Sequence, residues 1–192
     1  PLTKEQARES FGLEPDKKTI LIVGGSLGAR TMNESVQRHL DIVAESGLQF
    51  IWQTGKYYNA KIMEFMKDKD VPNLKVLDFI SDMGAAYKAS DLVISRAGAS
   101  SISEFQLIGK PTILVPSPNV AEDHQRKNAM ALVNRQAALY VEDAEAPDKL
   151  LPLAVKTVND DDKLRSLSEN VKKMGLKNSA DVIADEVLKL IK

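Results

Sequence analysis

The sequence predicts an α/β domain: a doubly wound, six-stranded, all-parallel sheet with helices on both faces and a helical segment at its carboxyl end. Three observations carry that expectation. Short apolar, β-branched runs alternate with helical stretches along residues 19–141, the pattern of parallel strands joined by helical crossovers. Glycine-rich or small-residue turns follow strand segments directly, as βα loops do. After Pro147 the pattern becomes purely helical, so the sheet is complete before the final helices.

Residues 3–11 read as a short helix with Thr3 as cap and Glu5 and Gln6 nearby, ended by Gly12. A turn over Glu14–Lys18 leads to Thr19–Val23, a continuous apolar run of the kind covered on both faces. Gly24–Ala29 follows at once, and a helix is predicted from about Ala29 to Ala44. Phe50–Gly55 is a second strand and its loop, with a charged helix after Tyr57. Leu74–Ile80 is the third strand, and Ser81 or Asp82 caps the next short helix. Asp91–Ile94 is the fourth strand. Small residues follow it, then a helix over 102–108 ended by Gly109-Lys110-Pro111. Pro111–Pro116 is a fifth short strand, residues 117–123 a loop, 124–135 a helix and Ala138–Val141 the sixth strand. Helices over 147–158, 161–174 and 178–191 complete the chain, the last capped at Asn178. Residues 1–192 thus read as one Rossmann-like domain without repeat or linker.

Bulk properties narrow the function. Of 192 residues, 43% are hydrophobic and 28% charged, and the formal net charge is −1 with the cations spread along the chain. No nucleic-acid partner is expected from such a distribution. The absence of cysteine excludes disulfides, thiolate zinc sites and cysteine nucleophiles. Two histidines, His39 and His124, cannot by themselves form a histidine-rich metal centre. No apolar run approaches the ~20 residues of a membrane-spanning helix, and no signal-peptide pattern opens the chain. The first residue is Pro1, which fits a piece of something longer.

The most informative stretch is Ser95–Glu104. It joins an apolar strand to a helix through small residues and hydroxyls. A helix start carries unpaired N–H groups and partial positive charge, and small side chains let a phosphate approach that backbone. Glu104, about one turn in, can reach a sugar hydroxyl beside the phosphate; the alternative is a capped turn with a dipole-favoured glutamate. Gly24-Gly25-Ser26-Leu27-Gly28-Ala29 is the second such feature. Gly25 and Gly28 supply a tight turn and close helix approach, and Ser26 offers an N–H and a hydroxyl. The dinucleotide fingerprint is only half met: Val23 stands where its first glycine belongs, and Gln53-Thr54-Gly55 replaces the acidic ribose ligand. Asp123-His124-Gln125 opens a helix where polar groups could meet sugar hydroxyls. All of these, with Ile80, follow strands on one edge of the sheet, where ligands of doubly wound folds bind.

Gly24–Ala29, Gln53-Thr-Gly-Lys56, Phe79-Ile-Ser-Asp-Met83, Ser95-Arg-Ala-Gly-Ala99 through Glu104, Gly109-Lys-Pro111, Val115-Pro116 and Asp123-His-Gln-x-x-Asn-Ala129 together resemble one family closely. It is the MurG family of bacterial N-acetylglucosaminyltransferases, which convert lipid I to lipid II in peptidoglycan synthesis. The likeness runs along nearly the whole chain and covers the carboxy-terminal half of those enzymes. It implies one half of a GT-B architecture, the half that holds the nucleotide-sugar donor. The amino-terminal domain, with the acceptor site, the proposed base and the membrane-facing patch, is expected to lie outside this chain.

What the resemblance implies is specific. Ile80 would read uracil through its backbone, with Met83 close by, and Glu104 would hold the ribose hydroxyls. Ser26 and the N–H groups around Ala99, Ser100 and Ser101 would hold the diphosphate, beside the Gly24, Gly25 and Gly28 loop. Gln125 and His124 would bind hydroxyls of N-acetylglucosamine; Arg96 and Asn33 match positions lining the same crevice. Ser100 and His124 depart from some members, where these positions are often apolar and sometimes Gln. An arginine that the family carries just before this chain's start is missing. The implied partners are UDP-N-acetylglucosamine or UDP, and, through the other domain, lipid I at the cytoplasmic face of the bacterial inner membrane; alone, this piece is expected to be soluble. No cofactor, no metal and no catalytic residue within this domain are expected, and the transfer would be inverting. Another GT-B UDP-sugar enzyme and a non-catalytic donor-binding partner subunit are the alternatives. A dinucleotide oxidoreductase is disfavoured by Val23 and the missing acidic residue.

Overall fold

The computed structural model describes residues 2–190. Six parallel strands form one sheet in the order β3-β2-β1-β4-β5-β6: β1 Thr19–Val23, β2 Gln49–Gln53, β3 Leu74–Leu77, β4 Leu92–Ser95, β5 Thr112–Leu114 and β6 Leu139–Tyr140. This is the doubly wound order, in which the sheet grows outward from β1 in both directions. In register, Ile22 stands opposite Trp52 on one side and Ile94 on the other.

Alternation along the strands builds two cores. Ile20, Ile22, Phe50, Trp52, Leu92, Ile94 and Ile113 face one way, onto α2 (Arg30–Arg38) and α8 (Ala146–Val158). Leu21, Val23, Ile51, Val93 and Leu114 face the other, onto α1 (Lys4–Ser10), α5 (Met83–Ala89), α6 (Ala99–Ile108), α7 (His124–Val133) and α9 (Asp161–Lys172). Every residue of β1 is buried, as its unbroken apolar run requires. Each such large side chain contributes about 1.5–3 kcal/mol on burial.

Several boundaries differ from expectation, each for a local reason. The helix predicted over 29–44 is two, α2 and α3 (Leu40–Glu45), divided at His39. There the backbone leaves helical values (φ −113°, ψ 35°) and the ring Nδ1 lies 3.0 Å from the Ser35 carbonyl. The third strand ends at Leu77, whose carbonyl accepts the Thr54 N–H at 2.8 Å. Past that bond β2 is finished, so Asp78–Asp82 leaves the sheet, and Asp82 caps α5 by accepting the Ala85 N–H. Pro111 and Pro116, which lack N–H donors, bracket β5. A short 3-10 turn over Ala121–Asp123 precedes α7, with Glu122 and Asp123 both at φ 52°.

Thr3 caps α1 in a reciprocal box with Gln6, as its sequence implies. The charged helix after Tyr57 is α4 (Asn59–Met66). Asn178 stands at the start of α10 (Ser179–Lys189), but its side chain makes no capping bond. The expected continuation to residue 191 lies outside the described residues. No helix among them is long and apolar enough to cross a membrane.

Asp91 anchors α1 to the sheet. Its carboxylate accepts the Thr19 N–H and Arg8 Nη2, both at 2.8 Å, and pairs with Lys4. Beside it Lys110 donates to the Ser90 carbonyl at 2.7 Å. Burial, and then the Lys4 charge, pull the Lys110 ammonium from 10.5 down to about 8. Folding therefore favours the neutral amine, so the Lys110 contribution to stability is least below pH 8 and grows as pH rises from about 8 to 10.5. Melting temperatures of the wild type minus those of Lys110→Met should rise across that window; a difference independent of pH would contradict this.

Candidate functional site

The strand order reverses at β1, with β2 on one side and β4 on the other. Loops leaving β1 and β4 diverge there and open a crevice at the carboxyl edge of the sheet. The cleft encloses about 430 Å³ between Gly24–Ser26, the segment Phe79–Ile80, Met83 and Tyr87 of α5, Arg96, and Ser101 and Glu104 of α6, with Gln125 at its side. A more polar hollow of about 330 Å³ shares Gly24, Arg96 and Gln125 with it and reaches Gly28, Thr31 and Asp143.

Two helices begin beside these hollows without side-chain caps. The N-cap of α6 is Gly98, and the first N–H in its backbone ladder is Ile102, donating to the Gly98 carbonyl at 3.0 Å. The N–H groups of Ala99, Ser100 and Ser101 precede that bond. Gly98 and Ser101 line the cleft, while Ala99 and Ser100 are exposed in the same turn. The smaller hollow has a second such start: α2 begins after Ala29, again uncapped. Uncapped helix starts present positive potential and free donors, which suits an anion.

The glycines divide the work differently from the sequence expectation. Gly25 has φ +89° with open space where a side chain would go. Its carbonyl accepts from Gln53 Nε2 at 2.9 Å, which holds the loop in place. The close helix approach is made by Gly24, where a Cβ would lie 2.6 Å from the Ala29 nitrogen. Gly28 packs instead against the β2–α4 loop, with a Cβ position 2.1 Å from the Thr54 carbonyl oxygen.

One end of the cleft is apolar and the other polar. Phe79 is half exposed, Ile80 is buried, and Met83 and Tyr87 complete that wall. Among the described residues, neither the N–H nor the carbonyl of Ile80 has a backbone partner. Glu104 Oε2 accepts the Tyr87 hydroxyl at 2.8 Å. Burial, reinforced by the Glu104 carboxylate, pushes the Tyr87 phenol well above its ordinary range, so it stays a neutral donor. Tyr87 escaped the sequence reading. Its signal was there: Met83 and Tyr87, four apart, share one helix face.

At the polar end Gln125 Oε1 accepts the N–H groups of Ala97 (3.2 Å) and Ser117 (2.9 Å), tying together the loops after β4 and β5. Arg96 Nη1 donates to the carbonyls of Val115 (3.0 Å) and Pro116 (3.3 Å) and pairs with Asp143. Asp143 also accepts Thr31 Oγ1 at 2.6 Å. It stands in a 3-10 turn, Asp143–Glu145, that a lone aspartate gave no means of locating. Two expected residues lie elsewhere. His124 is exposed, its Nδ1 2.8 Å from the Ala121 carbonyl, and does not line the cleft. Asn33 is buried behind the site: its amide donates to the Thr54 carbonyl at 2.9 Å and accepts Trp52 Nε1 at 2.9 Å. Its role is to satisfy the buried indole, and it does not line the crevice.

The model of the glycosyltransferase family 28 C-terminal domain matches residues 19–185. The chain belongs to that family. A relative in Bacteroides fragilis is 61% identical over 97% of this chain and 50% of its own length. It carries the name UDP-N-acetylglucosamine–N-acetylmuramyl-(pentapeptide) pyrophosphoryl-undecaprenol N-acetylglucosamine transferase. A relative of the same name in Porphyromonas gingivalis is 48% identical over 98% of the chain and 50% of its own length. The crystal structure of Acinetobacter baumannii MurG superposes with a TM-score of 0.79 at 32% identity, covering 98% of this chain and 54% of that one. This chain therefore spans about half the length of the relatives it matches, and the family whose model it fits is that of a carboxy-terminal domain. The CMP-Kdo binding domain of WaaA, at 11% identity and a TM-score of 0.64, shares the fold alone.

Proposed function

We propose that this domain holds UDP-N-acetylglucosamine as the donor for inverting, metal-independent transfer of N-acetylglucosamine to lipid I, giving lipid II in peptidoglycan synthesis. The observation that carries it is the uncapped start of α6 facing the Gly24–Ser26 loop, with Glu104 one turn further along the same cleft. The uracil sits against Phe79, Ile80 and Met83, and the Ile80 backbone groups complement its edge. Glu104 accepts the ribose hydroxyls. The diphosphate lies between Ser26 and the N–H groups of Ala99, Ser100 and Ser101. The sugar extends toward Gln125 and the hollow beside Arg96.

The chemistry follows from the leaving group. As the bond from the sugar C1 to the diphosphate breaks, negative charge grows on UDP, and fixed N–H donors stabilise charge where it develops. The acceptor hydroxyl attacks from the opposite face, with acceptor site and base supplied by the half of the relatives' length that this chain does not span. The isolated domain binds donor without transferring sugar. Titration calorimetry with UDP tests this: binding is expected, and no heat at millimolar UDP with the domain folded would overturn it. Adding EDTA is expected to leave the UDP affinity unchanged, whereas a tenfold loss would show that a metal carries the diphosphate.

A further inference from the structure

We propose that Tyr87 is the positioning residue that makes Glu104 a ribose-selective acceptor, so that α5 controls discrimination between ribose and deoxyribose in the nucleotide. This rests on the assignment of Glu104 to the ribose made above and deepens it.

Glu104 is exposed on α6 and its carboxylate has many rotamers open to it. The Tyr87 hydroxyl, 2.8 Å from Oε2, is its side-chain partner among the described residues. Tyr87 is itself well fixed. Its ring packs edge-on against buried Phe105, with centroids 5.6 Å apart and an interplanar angle of 79°. The helix that carries it is held at its start by the Asp82 cap and packs against the core through Ala85, Ala86 and Ala89.

The arithmetic of acceptors fits. A carboxylate has about four lone-pair sites. One is taken by Tyr87, and those left on Oε1 and Oε2 accommodate two vicinal hydroxyls. Because the phenol keeps its proton, it remains able to donate to Glu104 at neutral pH. The same helix face presents Met83 to the apolar end of the cleft. One rigid element therefore sets the distance between the base wall and the ribose acceptor.

The test is calorimetry of wild type and Tyr87→Phe with UDP and with 2′-deoxy-UDP, on domains whose folding is checked by thermal melting. The phenylalanine keeps the packing on Phe105. Wild type should prefer UDP by roughly tenfold. Tyr87→Phe should lose most of that preference, weakening UDP severalfold and 2′-deoxy-UDP, which keeps its 3′-hydroxyl bond to Glu104, by a smaller factor. In a Glu104→Ala background the same substitution should change neither affinity. An unchanged UDP to 2′-deoxy-UDP ratio in Tyr87→Phe, or equal losses for both nucleotides, would overturn the positioning role while leaving the ribose assignment standing. A wild-type domain that binds both nucleotides equally would overturn the ribose assignment itself, and this inference with it.

Discussion

Glu104→Ala is expected to weaken UDP binding by about 1–3 kcal/mol, the range for hydrogen bonds to a charged acceptor. The domain should remain folded, because Glu104 is exposed and its one side-chain bond among the described residues is to Tyr87. The loss should be specific: UDP and UDP-N-acetylglucosamine weaken together, since both carry the same ribose. Calorimetry on the variant decides it. An unchanged affinity would remove Glu104 from the site and return Ser95–Glu104 to the status of a structural turn.

The second large effect is on stability. Gly28→Ala is expected to destabilise the domain by about 3 kcal/mol or more, a large share of the ~5–15 kcal/mol typical of a folded domain. Two causes combine. Gly28 has φ +88°, a region that L-residues with a Cβ avoid, and that Cβ would fall 2.1 Å from the Thr54 carbonyl oxygen and 2.9 Å from the Tyr58 ring. The carbonyl cannot yield easily, because Asn33 Nδ2 donates to it at 2.9 Å and the facing Gly55 backbone lies equally close to Gly28. Gly25→Ala is the control. It has a similar φ of +89° but open space around it, so it should cost only about 1–2 kcal/mol. Urea midpoints of the two variants separate backbone strain from the clash, and similar losses for both would argue against the close approach of the two loops.

Much of this was legible in the chain. The unbroken Thr19–Val23 run announced a strand buried on both faces, and the alternation of strands and helices announced the parallel sheet. Hydrophobic periodicity and turn chemistry are local, so a single sequence carries them. The candidate-site residues near glycines and helix starts, such as Gly24 to Ser26, Ser101 and Glu104, which line the cleft, were likewise visible through local backbone chemistry.

Side-chain partnerships were not. Asn33 looked like a crevice residue until the buried Trp52 indole claimed its carbonyl. Arg96 gained its orientation from Asp143, which is 47 residues away, and Glu104 gained its partner from a different helix. The third strand lost Asp78–Ile80 because its neighbour β2 ends at Gln53, leaving nothing to pair with. The sequence by itself determined the doubly wound fold, the edge of the sheet where the candidate site lies and the glycine and helix-start chemistry proposed to meet an anion. Only the tertiary structure decided which polar groups remain free to meet a ligand. The reason is physical: every buried donor and acceptor must find a partner, and across long separations that partner exists only once the chain has folded.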